Sequence, residues 1–183
     1  MGGLVESLLL LARLEELPQA PPVQIDLTEL AEHAAQDTRA AAPDREVLVH
    51  RGDQVKVLGD PEQLGQVLAN LTRNAVVHTP PATAIEITVR PENGHAVIEV
   101  RDHGPGFPPN AGEHLFERFW RPEGGRSRGR DGAGLGLAIV KAIADGHGGQ
   151  VHAHNADDGG AVFRVTLPVT RVANSGNSPS MRA

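Results

Sequence analysis

Three glycines at alternate positions, Gly132, Gly134 and Gly136, run straight into the apolar stretch 137–140 of "DGAGLGLAIVKAIADGHGG". At that density the missing Cβ atoms let another group come close to the backbone. Bare N–H groups opening a helix, helped by the helix dipole, make an anion site. Two phosphate motifs do not fit. A P-loop needs a Lys-Ser or Lys-Thr pair after the last glycine, and none follows. A dinucleotide fingerprint needs GxGxxG directly after a strand, but Leu137 takes the third glycine's place and a loop precedes. A tightly packed loop-to-helix junction explains the glycines alone equally well. Their neighbours must decide.

The 183 residues suffice for one ordinary domain with some flanking sequence. Apolar residues make up 39% but aromatics only 3%, so Val, Leu, Ile and Ala must fill the core. The absence of cysteine excludes a disulfide framework, a thiolate zinc site and a cysteine nucleophile. A net charge of -6 argues against a general nucleic-acid binder. No apolar run reaches the length of a membrane span, and the start lacks the basic region of a signal peptide.

Along the chain, Leu4, Leu8 and Leu11 recur at helical spacing, and the proline-rich 18–22 then breaks the pattern. "VQIDL" reads as a strand, and Thr28 as the cap of a helix through Ala42, ended by Pro43. "EVLVHR" and "VKVLG" read as a hairpin. Asp60 and Pro61 open a second helix whose core face is Leu64, Leu68, Leu71 and Ala75. Ile85, Ile87 and Val89, then Ala96, Ile98 and Val100, alternate as two strands. A Gly/Pro/Arg-rich loop spans 103–131, a third helix runs from about 134 to 145, and "QVHAHN" and "AVFRVTL" close the pattern as strands. The polar tail from 171 reads as disordered. Helices and strands without strict alternation predict a mixed sheet with helices on one face.

Two stretches give the glycines a context. Alternation puts Asp102 of "RDHGPGF" on the buried face, where a carboxylate needs a donor. An adenine amino group would supply one, and Gly104 and Gly106 leave room for something flat beside it. A strand-end Asp capping a turn is the plainer reading. In "LANLTRNAVVHTP", Asn70 and Asn74 stand four apart, on one side of a helix and beside its apolar stripe. An amide oxygen suits Mg²⁺, which keeps most of its waters and takes one or two protein oxygens plus phosphates. Two solvated polar residues are the plainer reading here.

In order along the chain, Asn70/Asn74, "DHGPG", "FERFWR", "DGAGLGLAIV" and "HGGQVHAHNADDGGAVFRVTLP" resemble the asparagine, first glycine, phenylalanine and second glycine boxes and closing strands of the sensor histidine kinase catalytic domain. That ATP-binding domain belongs to a wider family shared with DNA gyrase. The resemblance covers roughly residues 23–168 and implies an α+β sandwich of the Bergerat type. In that fold a mainly antiparallel five-stranded sheet carries three helices on one face and a mobile lid. It also makes 1–17 the stub of the second dimerisation helix, 18–22 a linker and 169–183 a tail.

By this resemblance Asn74 is the Mg²⁺ ligand, and Asn70 a second polar contact near the phosphates. Asp102 holds the adenine amino group, with Gly104 and Gly106 shaping that end. Gly132, Gly134 and Gly136, with Leu135 and Leu137, line the triphosphate. Phe116 and Phe119 pin the lid, and Arg121 reaches the γ-phosphate. One position departs: where many such kinases carry Lys or Arg, three residues after the metal-binding Asn, this chain has Val77, then His78. His78 or the lid arginines then compensate.

The sister ATPases carry a Glu where this chain has Asn70, and an amide is no general base at neutral pH. That favours transfer of the γ-phosphoryl group over hydrolysis, with Mg²⁺ and Arg121 supplying charge neutralisation. A hydrolytic ATPase and an anti-sigma-factor serine kinase of the same superfamily are the alternatives. None of the nine histidines has the setting of a phosphoacceptor. The expected partners are therefore ATP, the kinase's own phosphoacceptor domain and a response regulator, and no nucleic acid. The piece itself is expected to be monomeric and the full-length kinase a homodimer. The expected location is the cytoplasmic side of a bacterial membrane protein.

Overall fold

The computed structural model describes residues 21–109, 111–112, 114–120 and 134–169. Its elements are β1 (Val23–Asp26), α1 (Leu27–Ala41), β2 (Val47–Arg51), β3 (Lys56–Gly59), α2 (Pro61–His78), β4 (Ile85–Glu92), β5 (His95–Asp102), α3 (Gly136–Gly146), β6 (Gln150–Asn155) and β7 (Ala161–Pro168). β2, β4, β5, β7 and β6, in that order, form a five-stranded sheet, and β1 and β3 a separate ribbon. Only β2–β4 is parallel within the large sheet. The mixed α+β sandwich expected from the sequence is the fold observed.

The core lies between the sheet and the three helices among the described residues. Leu64, Leu68, Leu71 and Ala75 of α2 are all buried, as are Ile85, Ile87 and Val89 of β4 and Ala96, Ile98 and Val100 of β5. These are the positions picked out by the 3.6- and 2-residue periods, because one face of each element must leave water. α3 adds Ile139, Val140 and Ile143.

Two local expectations are corrected. Asp26, not Thr28, caps α1: its carboxylate accepts from the N–H groups of Thr28 and Glu29. A carboxylate at the cap also meets the positive end of the helix dipole. β2 and β3 do not form a hairpin. β3 pairs antiparallel with β1, setting buried Val57 against buried Ile25, while β2 pairs with β4. Each strand thereby finds a distant apolar partner, which outweighs the short connection between them.

The other face of the sheet is polar. Arg90 and Arg164 both bridge to Glu92 and Glu99, Arg101 pairs with Asp158 at 2.6 Å, and Glu86 accepts from His103 at 2.6 Å and meets His50 at 3.2 Å. A shallow polar concavity of about 420 Å³ lies there, lined by Glu86, Glu99, Arg101, His154, Asp157 and Asp158 among others. Asp102 is buried on the opposite face, beneath the helices.

Candidate nucleotide site

α2 presents the two asparagines because its first turn is firmly set. The Asp60 carboxylate accepts from the N–H groups of Glu62 and Gln63, and Pro61 occupies the first turn. Asn70 and Asn74 then fall half-buried on one side of the helix, beside the core stripe. Asn70 Oδ1 accepts from Gln66 Nε2 at 3.2 Å, whereas Asn70 Nδ2 is buried without a partner among the described residues. Such a donor is costly unless something outside the protein accepts from it. His78 is exposed in the last turn of α2.

Facing Asn70 is the start of α3. A Cβ on Gly136 would stand 3.7 Å from Asn70 Oδ1. Leu135, buried at the N-cap, offers no side-chain hydrogen bond, so the first N–H groups of α3 are not satisfied by a cap side chain. Leu137 is half-buried against the core. Gly134 packs flat on the chain of 119–120, where a Cβ would come within 3.1 Å of Phe119 and Trp120 backbone, and its carbonyl accepts from Phe119 N–H.

At the far end of β5, Asp102 is only 4% exposed. Its Oδ1 accepts from Gly104 N–H at 2.9 Å and Ala161 N–H at 3.3 Å. Both bonds go to one oxygen, so the second remains an acceptor for an amino group. Gly104 lies against Thr79, whose methyl a Cβ at 104 would strike at 2.5 Å. Thr79, the C-cap of α2, is held in turn by Arg45. The end of the helix that carries Asn70 and Asn74 thus meets the carboxylate of Asp102 through Gly104.

Phe116 packs edge-on against Phe163, centroids 6.5 Å apart, and Phe107 packs on the same ring at 6.2 Å. Phe119 behaves differently: it is 56% exposed and its backbone is left-handed at φ 64°. Arg121 and Gly132 lie outside the described residues. Residues that the sequence did not single out are Arg45, Thr79, Asn155 and Gly160. Arg45 and Thr79 carry ordinary strand-edge and helix-end patterns, and Asn155 and Gly160 sit in turn-like "HNADDGG", so no local signal marked them.

The geometry suits a purine nucleotide. It offers an acceptor carboxylate with fixed orientation and two glycines beside it, packed against Thr79 and Asn155. It also offers an asparagine with an unpartnered amide nitrogen, set against a helix start that has no side-chain cap among the described residues. Sequence comparison agrees. Residues 59–171 match the family described as "Histidine kinase-, DNA gyrase B-, and HSP90-like ATPase". The chain belongs to this family and has its Bergerat fold.

Within the family it is similar to sensor histidine kinases. It is 39% identical over 167 residues to the probable sensor histidine kinase TcrY of Mycobacterium tuberculosis, covering 91% of this chain and 35% of that protein. It is 40% identical over 175 residues to the sensor histidine kinase TrcS of the same organism, covering 92% and 34%. The chain therefore spans about a third of the length of these relatives. Among solved structures, the mycobacterial sensor histidine kinase MprB superposes with TM-score 0.71 at 31% identity, over 81% of this chain and 97% of that one. The ATP-binding domain of PrrB from Mycobacterium tuberculosis gives 0.70 at 28%, over 83% and 100%.

Proposed function

We propose that the chain is the ATP-binding catalytic part of a sensor histidine kinase, with residues 23–168 as the catalytic domain. The γ-phosphoryl group of bound ATP goes to a histidine on a separate dimerisation and phosphoacceptor domain, leaving ADP, and from there to a response regulator. The stretches 1–17 and 18–22 are assigned to the end of the preceding helix and to the linker, and 169–183 to a tail. In the full-length protein this part belongs on the cytoplasmic side of a membrane-anchored homodimer.

The observation that carries this reading is Asn70. Its amide oxygen faces the start of α3, its amide nitrogen has no partner among the described residues, and an amide cannot take a proton from water at neutral pH. A site so built holds ATP by positioning and hydrogen bonding without promoting its hydrolysis. Asp102 takes the adenine amino group, Gly104 and Gly106 line that end, and Gly132, Gly134 and Gly136, with Leu135 and Leu137, line the phosphates. Asn74 Oδ1 is assigned to Mg²⁺, which would neutralise charge on the phosphates. Arg121 and His78 are assigned to the phosphate end, and Phe116 and Phe119 to the base of the lid.

The test is transfer in trans. The chain is mixed with radiolabelled ATP, Mg²⁺ and the phosphoacceptor domain of a similar sensor kinase. Acid-labile phosphohistidine on that domain is the expected product. Acid-stable phosphoserine, or steady phosphate release with no acceptor present, would overturn the proposal in favour of a serine kinase or a hydrolytic ATPase.

A further inference from the structure

We infer that Asn155 is a positioning residue for the adenine end of the nucleotide site, an inference that rests on the ATP-binding role of Asp102 proposed above. Asn155 is the last residue of β6, an edge strand, and is exposed. Its side chain nonetheless makes two hydrogen bonds to one residue far away in sequence. Phe107 N–H donates to Asn155 Oδ1 at 3.0 Å, and Asn155 Nδ2 donates to the Phe107 carbonyl at 2.7 Å. The amide thus acts as one rung of a β-ladder, continued by a side chain where the strand itself ends.

The start of the loop between Asp102 and Phe107 is tied by His103 to Ala84 and Glu86 and by Gly104 to Asp102, and its far end is tied by the Asn155 amide. Gly106 is left-handed at φ 72°, and a Cβ there would stand 2.5 Å from Asn155 Oδ1. The clamp therefore requires glycine at 106 and fixes how closely the loop approaches β6. The same hairpin reaches Asp102 from the other side: Asn155 pairs with Ala161, whose N–H donates to Asp102 Oδ1. Between them, Gly160 lies flat on the Asp102 carbonyl. At the turn end of the β6–β7 hairpin, Ala161 of β7 orients the carboxylate and its cross-strand partner Asn155 of β6 holds the loop that follows it. The loop carries Gly104, whose N–H is the second donor to that same oxygen. Release of Phe107 therefore loosens the orientation of the Asp102 carboxylate without removing any group from the core.

The experiment titrates this chain with Mg²⁺-ATP and, separately, with inorganic tripolyphosphate. The proteins are the wild type, Asn155→Ala and Asn155→Gln. Loss of two hydrogen bonds predicts an increase of about tenfold to thirtyfold in the ATP dissociation constant of Asn155→Ala. Tripolyphosphate affinity stays at the wild-type value, because the phosphate end is untouched, and the melting temperature without nucleotide falls by no more than about a few degrees, as fits two hydrogen bonds at an exposed side chain. Asn155→Gln, which keeps both polar groups on a longer arm, recovers part of the loss. Exchange of the Phe107 amide proton speeds up in Asn155→Ala while the β5 amides keep their protection. Equal ATP affinity in wild type and Asn155→Ala overturns the inference alone, as does a parallel loss of tripolyphosphate binding and thermal stability. A wild-type chain that ignores ATP overturns the nucleotide reading along with it.

Discussion

Gly160 lies so close to Asp102 that a Cβ at 160 would stand 1.9 Å from the Asp102 carbonyl oxygen. Backbone meets backbone here, and Gly160 also has φ 90°, which a side chain rarely tolerates. Neither partner can yield without moving β5 or the β6–β7 hairpin. Gly160→Ala is expected to destabilise the fold by roughly 3 kcal/mol or more, as a strained backbone and a forced shift act together. Thermal or urea unfolding measures it.

Asp102→Asn keeps an oxygen able to accept from Gly104 and Ala161, so the fold should be nearly unchanged. The second oxygen becomes an NH₂ group, and two donors then face each other where the adenine amino group is expected. A loss of roughly hundredfold in ATP affinity follows, about 2–3 kcal/mol. Calorimetric titration checks it. An unchanged dissociation constant would remove Asp102 from the site.

Asn74→Ala removes the oxygen assigned to the metal from a half-buried position and leaves the packing of the α2 core stripe intact. ATP affinity in the presence of Mg²⁺ should fall, and the difference between titrations with Mg²⁺ and with chelator should largely vanish. A Mg²⁺ dependence equal to the wild type's would show that another group holds the metal.

Arg45 is a guanidinium only 8% exposed. It donates to Thr79 Oγ1 at 2.5 Å and to the carbonyls of Val76 and Thr79 at 2.8 and 3.0 Å. These carbonyls end α2, so the cation satisfies orphan acceptors at the negative end of a helix dipole. Arg45→Met leaves them buried without donors, and the expected cost is about 3 kcal/mol. Guanidinium chloride unfolding measures that cost. Amide exchange should quicken first around Thr79 and Gly104.

The His103 hydrogen bond holds the Glu86 carboxyl below the ordinary glutamate range. Burial opposes the shift, and the charges of His103 and His50 reinforce it. A carboxyl lowered by folding contributes stability above its unfolded value, and that contribution is lost as pH falls through the folded value. The wild type should therefore lose melting temperature faster than Glu86→Gln between about pH 5 and pH 3. The difference corresponds to about 1 kcal/mol or less at this partly exposed site. Equal slopes in the two proteins would mean that the pair contributes nothing.

The buried stripe of α2 was legible because burial of one helix face imposes a spacing that survives in the residue order. The same holds for the alternation that put Asp102 inside and for Asp60 and Pro61 at a helix start. The pairing of β2 with β4, and of β3 with β1, was not legible. Local order made 47–51 and 56–59 look like a hairpin, but a strand joins whichever neighbour buries its apolar side, and that neighbour can lie far along the chain. Asp26 displaced Thr28 as the cap of α1 for a related reason: both residue types can cap, and the strand before the helix set where the helix began.

By itself the sequence singled out the residues that are candidates for a nucleotide site. Glycine, asparagine and aspartate at those spacings carry a chemistry that packing alone does not demand, and their order matches one ATPase family. Only the tertiary structure decided how they are held. Asn70 faces Gly136, Thr79 fills the space beside Gly104, and Asn155 clamps Phe107 across a long stretch of intervening chain. Those relationships depend on hydrogen-bond geometry and close approach at a few ångströms. Such distances exist only once the sheet has brought distant strands side by side.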